Sequence, residues 1–152
     1  RRVLFRSRSL LEKVVAERFD YQEMSRRALG APWNQLSDKE KQEFVSLFQT
    51  LLTNSYAEKV ESYSGEGVQY LNERTEKDYA EVRTKILSGK TEIPLDYRLI
   101  NHGTDWRVYD VVVDGVSLVN NYRGQFTKIL RSSSYPDLVD QLRKKSDKLK
   151  SP

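Results

Sequence analysis

Residues 106–129, WRVYDVVVDGVSLVNNYRGQFTKI, constrain the fold of this chain more than any other stretch. The segment opens on Trp106, Val108, Tyr109, Val111, Val112 and Val113, β-branched and aromatic residues that suit a pleated, half-buried surface. Asp114-Gly115 follows, a pair that tolerates positive φ and signals a tight hairpin turn between two apolar runs. Val116, Leu118 and Val119 then form a short return segment. Asn120 or Asn121 offers an N-cap for a helix carrying Tyr122, Phe126, Ile129 and Leu130 at helical spacing. Val111, Val112 and Val113 are consecutive, so both faces of this strand are apolar, whereas a strand with one wet face alternates. Each face therefore needs a cover: helices of the same domain, more protein, or an apolar ligand.

The remaining elements follow from periodicity and punctuation. Leu10, Leu11, Val14 and Val15 put a short helix at residues 10–16. Asp20 and Glu23 form a capping-box-like start for a helix from Tyr21 to Leu29, which Gly30 and Pro32 end; Trp33 in the next loop reads as a packing anchor. Ser37-Asp38-Lys39-Glu40 is a second capping box and starts the longest helix, reaching about Ser62. Its residues Phe44, Val45, Leu47, Phe48, Leu51, Leu52 and Tyr56 fan over roughly half the circumference, wider than the ~100° stripe of a surface helix. Four strands follow at about Val68–Arg74, Tyr79–Leu87, Glu92–Asn101 and Trp106–Asp114, joined by short turns that imply an antiparallel meander. Ile93, Leu95, Tyr97 and Leu99 alternate with Asp96 and Arg98, giving one dry and one wet face. Helices at Asn121–Arg131 and Pro136–Lys148 close the chain. Helices, then a meander, then helices predict an α+β fold with helices on one face of a curved antiparallel sheet of about four long strands.

Several functional classes are excluded by composition. At 152 residues the chain is sized for one domain with its own core, and its mean hydropathy is −0.72. No apolar run approaches the ~20 residues a membrane-spanning helix requires. There is no cysteine, hence no disulfide, thiolate nucleophile or cysteine metal ligand. The net charge of +4 is matched by Arg1, Arg2, Arg6 and Arg8 alone, and a second basic cluster lies at residues 143–150. Basic residues at the ends and aromatics at core spacing do not make the interleaved basic-aromatic face of a nucleic-acid binder.

Catalytic constellations are equally sparse. His102 is the only histidine and lies in a turn, where a pair with Asp105 can be drawn. Neither a glycine-rich phosphate loop nor a calcium-loop spacing is present. Asp110 and Asp114 share the strand parity of Trp106 and Val108. Asp114 is explained by the turn. Asp110 is the one candidate general acid/base, of a small pocket enzyme, with pairing to Arg107, Arg98 or Arg123 as the simpler account. What remains is apolar surface converging from the long helix, the closing helix and the Val111–Val113 strand, as in a lipid pocket or an ordinary filled core.

The segments FDYQEMSRRALG (residues 19–30), the Trp33 loop, LSDKEKQEFVSLFQTLLTNSY (residues 36–56), IPLDYRL (residues 93–99), WRVYDVVVDGVSLVNNYRGQFTKIL (residues 106–130) and YPDLV (residues 135–139) resemble the MlaC family of periplasmic phospholipid-binding proteins. The resemblance runs from about Leu10 to Lys145. It implies a cone-like α+β domain, a curved sheet wrapped by N- and C-terminal helices around an apolar pocket for phospholipid acyl chains. It implies a non-enzymatic monomeric carrier with no cofactor beyond its lipid cargo. The carrier would shuttle lipid between an inner-membrane complex of MCE domains and an ABC-type ATPase and an outer-membrane lipoprotein–porin complex, maintaining outer-membrane lipid asymmetry.

On that basis the lipid-binding residues are expected to be Phe44, Phe48, Leu51, Leu52, Tyr56, Leu99, Val111, Val113, Tyr122 and Phe126. The expected organisation is a single lipid-binding domain at residues 10–148, after a segment 1–9 that does not match the family and reads as a non-native or truncated start, with a tail at residues 149–152. Arg26, Arg27, Arg143, Lys144 and Lys145 are the candidates for a partner-docking surface.

Overall fold

The structure is a computed structural model that describes residues 19–63, 68–88, 90–103 and 105–150; the helix expected at residues 10–16 lies outside them. Helices α1 (Tyr21–Leu29), α2 (Asp38–Tyr63), α3 (Leu118–Ser132) and α4 (Tyr135–Lys150) accompany strands β1 (Val68–Glu76), β2 (Tyr79–Ser88), β3 (Thr91–His102), β4 (Asp105–Val113) and β5 (Val116–Ser117). A 3-10 turn at Ala31–Gln35 follows α1. The class is α+β, as the order of elements predicted. By internal contact the chain forms two compact units: a sheet unit, Arg1–Asp20 with Ser62–Leu118, and a helical unit, Tyr21–Glu61 with Val119–Pro152.

The sheet is an antiparallel meander in the order β1-β2-β3-β4-β5, four long strands and one of two residues. Asp114 (φ 50°) and Gly115 (φ 85°) both occupy the left-handed region, the backbone that the Asp-Gly pair was expected to supply between β4 and β5. Register places Ala80, Val82, Thr84 and Ile86 of β2 opposite Leu99, Tyr97, Leu95 and Ile93 of β3, all on one face. Those β3 residues Leu95, Tyr97 and Leu99 in turn face Val113, Val111 and Val108 of β4. This face is the core of the sheet unit, with Tyr70 and Trp106 packed at its margins. Thr84 is a fully buried polar member of this face, and its hydroxyl donates to the Leu95 carbonyl at 2.6 Å, so its own donor is paired.

One feature of β4 departs from the alternation read in its sequence. Arg98 pairs with Asp110 and Leu99 with Val108, so Tyr109 is an extra residue, a β-bulge. The bulge reverses side-chain parity. Trp106 and Val108 precede it on the core face, Val111 and Val113 resume that face after it, and Asp110 and Val112 point the other way. Asp110 therefore does not share the face of Trp106 and Val108, contrary to strict alternation. Val111 and Val112 are both buried on their opposite faces, so the doubly apolar strand is as expected.

Helix starts follow local chemistry. The Ser37 hydroxyl accepts from the Glu40 amide at 3.1 Å while the Glu40 carboxylate accepts from the Ser37 amide at 2.9 Å, a complete capping box. The same reciprocal pattern joins Ser134 and Asp137 at the start of α4. Helix α3 begins at Leu118 rather than at Asn121, because β5 ends after only two residues and Leu118 and Val119 are helical. Among the described side chains of α2, full burial covers only part of the apolar arc. Phe44, Phe48, Leu51 and Leu52 are buried within about 100° of the helix circumference, and Val45 and Leu47 are only half-buried at its shoulders.

In α1, Glu23 braces Arg27 at 2.7 Å and Arg26 at 3.1 Å. Burial pushes the Glu23 carboxyl up, but these two arginines outweigh it and hold it below the usual carboxylate range. Its contribution to stability is therefore complete above the ordinary glutamate value of ~4.3 and is lost as pH falls through the lower folded value. Glu23→Gln is expected to remove that acid-side slope while costing no more than about 1 kcal/mol near neutrality, since the pair is partly solvated. Urea denaturation of both proteins between pH 3 and pH 7 measures it, and parallel pH profiles would contradict the assignment.

Candidate apolar binding site

The helical unit gathers four of the expected lipid-contact residues into one aromatic cluster. Phe48 stacks on Phe44 with ring centroids 5.9 Å apart and meets Tyr122 edge-on at 5.3 Å and Phe126 at 5.7 Å. Phe44 meets Phe126 edge-on at 5.6 Å. These T-shaped geometries set the positive ring edge against the negative face and add to the burial of apolar area. The positions follow from helical spacing: 44 and 48 on α2 and 122 and 126 on α3 each lie four residues apart on one face. Leu51 and Leu52 continue the buried stripe of α2. Tyr56 lies further along α2, and its side chain is outside the described residues.

Three expected contact residues belong to the sheet unit. Leu99 and Val111 sit in its core cluster and Val113 packs half-buried against it. Cross-strand pairing explains this, because Val111 lies opposite Tyr97 and Val113 opposite Leu95 on the apolar face. The expected set thus divides into a helical group and a sheet group. The helical unit also buries Met24, Ala28, Leu29, Leu138, Val139 and Leu142. Met24 and Ala28 lie four residues apart on one face of α1, and Leu138, Val139 and Leu142 form a thin apolar stripe on α4.

The polar candidates are committed to structural contacts. Asp110 is only 3% exposed. Its carboxylate accepts the Ser117 hydroxyl and, at 2.8 Å, the Val111 amide, and the Arg98 guanidinium lies 3.5 Å away. Arg107 instead holds Asp105 at 2.8 Å, and Arg123 donates to the Arg27 carbonyl at 2.8 Å. Of the three arginines considered for Asp110, Arg98 is the partner. His102 pairs with Asp20 at 2.8 Å, not with Asp105. That contact reinforces the place where the Asp20 amide donates to the Val108 carbonyl at 2.8 Å, beside a parallel bridge from Phe19 to Val108.

The basic residues expected at a docking surface are also engaged. Arg26 and Arg27 hold Glu23, Arg143 holds Glu43 at 3.3 Å and Lys144 holds Asp140 at 2.9 Å. The Lys145 ammonium lies 5.5 Å over the Tyr122 ring. Tyr135 donates to the Glu40 carbonyl at 3.1 Å; burial first, and then the charges of Glu43 and Glu40, push its phenol up to about 12. Two grooves mark the helical unit. One of about 370 Å³ is bordered by Leu29, Pro32, Leu36, Glu40, Leu130 and Tyr135 among others, and one of about 720 Å³ by α3 alone.

The two kinds of site predict different failures. Phe48→Ala removes the ring shared by three aromatic contacts and is expected to cost roughly 3–5 kcal/mol. Asp110→Ala takes this acceptor from the Ser117 hydroxyl and the Val111 amide and is expected to cost about 1–3 kcal/mol. Chemical denaturation reads both, and a Phe48→Ala protein as stable as the parent would refute the cluster.

Comparison with known proteins agrees with this architecture. Residues 6–144 match the family described as MlaC protein. The intermembrane phospholipid transport system binding protein MlaC of Haemophilus influenzae is 23% identical over 122 residues, covering 76% of this chain and 57% of that protein. The chain thus spans little more than half the length of that relative. Among solved structures, the phospholipid-binding protein from Ralstonia solanacearum, determined in complex with a phospholipid, superposes with a TM-score of 0.81 at 25% identity, covering 94% of this chain and 82% of that one. With the family match extending over most of its length, the chain belongs to the MlaC family.

Proposed function

We propose that this protein is a phospholipid carrier of the periplasm. The observation that carries the reading is the fold-level match to a protein solved with a phospholipid bound, at a TM-score of 0.81 over 94% of this chain. The named function of the Haemophilus influenzae relative, phospholipid binding in an intermembrane transport system, supports it. The chemistry of the chain is compatible with it. Each buried methylene contributes about 0.8 kcal/mol, so acyl chains can be held with little help from polar groups.

The residues proposed to meet acyl chains are Phe44, Phe48, Leu51, Leu52, Tyr56, Tyr122 and Phe126 in the helical unit and Leu99, Val111 and Val113 in the sheet unit. In this reading the protein acts as a monomer and uses no cofactor, phospholipid being cargo rather than substrate. Its partners are an inner-membrane complex carrying MCE domains and an ABC-type ATPase and an outer-membrane lipoprotein–porin complex. Its physiological effect is outer-membrane lipid asymmetry. Asp110 has no catalytic part here, since its carboxylate is occupied by Ser117, Val111 and Arg98.

Native mass spectrometry of the purified protein, followed by organic extraction, tests the reading. A bound mass matching phospholipid is expected, or uptake of added phospholipid by protein that purifies empty. Failure of both would remove the carrier reading. Leu52→Asp and Val113→Asp are expected to abolish lipid retention, because an unpaired carboxylate resists desolvation against hydrocarbon. A folded variant retaining as much lipid as the parent would remove that residue from the contact set.

A further inference from the structure

We propose that the exposed face of α3 is a docking site for the anionic head groups of a bilayer surface. Helix α3, LVNNYRGQFTKILRS, contains three cations and no carboxylate. At 100° per residue, Asn120, Arg123, Gly124, Thr127, Lys128 and Arg131 fall within an arc of about 140°. All six are exposed and together line the open groove of about 720 Å³. The space above Gly124 is open, since a Cβ built there would meet nothing within 4 Å.

The cations of this face differ from several others in the helical unit. Arg26, Arg27, Arg143 and Lys144 each hold a carboxylate, and Lys145 covers an aromatic ring. Among the described residues, no carboxylate pairs with Lys128 or Arg131. Arg123 is anchored through its Nε to the Arg27 carbonyl at 2.8 Å, which fixes the side chain on this face without neutralising it. The result is a local positive field with no carboxylate paired to Lys128 or Arg131 among the described residues.

The character of the lining selects the partner. The core of a protein–protein interface is depleted in charge and enriched in aromatic side chains. This groove is bordered by three cations, an amide, a hydroxyl and a glycine, with no apolar side chain. Such a face suits a layer of phosphate-bearing head groups, to which each surface lysine or arginine contributes about fivefold in partitioning. These six positions lie on the side of α3 opposite Tyr122 and Phe126, so the proposal goes beyond the carrier reading and its test does not require bound lipid.

Co-sedimentation with phosphatidylglycerol-containing vesicles at low salt tests the proposal, with phosphatidylcholine vesicles as the neutral reference. The full chain is expected to bind the anionic vesicles only, and to be released at molar salt, where the screening length is about 3 Å. Lys128→Gln/Arg131→Gln is expected to lower the partition coefficient roughly thirtyfold. Lys144→Gln/Lys148→Gln, which removes the same formal charge from α4, is expected to leave it near the parent value. Both positions of the α3 variant are exposed, and an unchanged thermal melt confirms its fold. No binding to anionic vesicles, or equal loss in the two variants, would overturn the proposal. So would complete displacement by inorganic phosphate at matched ionic strength, or binding of this face to an acidic protein but not to vesicles.

Discussion

The sheet depends on a single extra residue in its fourth strand. Had β4 kept strict alternation from Trp106 onward, Asp110 would have entered the apolar face with Val108, placing a carboxylate among aliphatic side chains. The bulge at Tyr109 turns Asp110 to the face that carries Arg98 and returns Val111 and Val113 to the core. Desolvating an unpaired carboxylate costs far more than one disrupted ladder position. The displaced Tyr109 is not idle, since its ring meets Tyr79 edge-on at 6.0 Å. Asp110 then secures the β4–β5 hairpin through Ser117, next to the Asp-Gly turn.

Charge is arranged differently in the two units. On the face of the sheet opposite its apolar core cluster, a ladder runs from Arg83 through Glu81 and Arg98 to Asp110, with contacts of 3.0, 3.9 and 3.5 Å. Asp96, inserted among these groups, is raised by burial and by the Glu81 charge, with Arg83 and Arg98 pulling it down. In the helical unit most cations near the ends of α1 and α4 are paired, whereas α3 presents arginine and lysine with no acid on the same helix.

Much of this was legible in the sequence for local reasons. The capping box at Ser37 and Glu40 states its own hydrogen bonds, and Asp114-Gly115 states its own dihedral angles. The residues Phe44, Phe48, Tyr122 and Phe126 lie at spacings that place each pair on one helical face. The ring cluster itself was not legible, because helical spacing orients a side chain without naming its partner. The degree of burial along the α2 arc was not legible for a related reason: Val45 and Leu47 are apolar, but apolar character alone does not require full burial. The choice of Asp20 as the partner of His102 joins residues 82 apart in sequence, which no local pattern encodes.

By itself, the sequence determined element types, the antiparallel meander, the tight turns and the family resemblance, because each depends on short-range periodicity, capping or turn chemistry. Tertiary structure alone decided the bulge at Tyr109, the selection of Arg98 over Arg107 and Arg123 as the partner of Asp110, and the burial that separates Phe44 from Val45. It also decided which cations remain without a carboxylate. Arg143 and Lys128 are alike as letters, and only folding places Glu43 beside the first and no acid beside the second among the described residues. Pairing is set by distance in space, which a one-dimensional pattern does not contain.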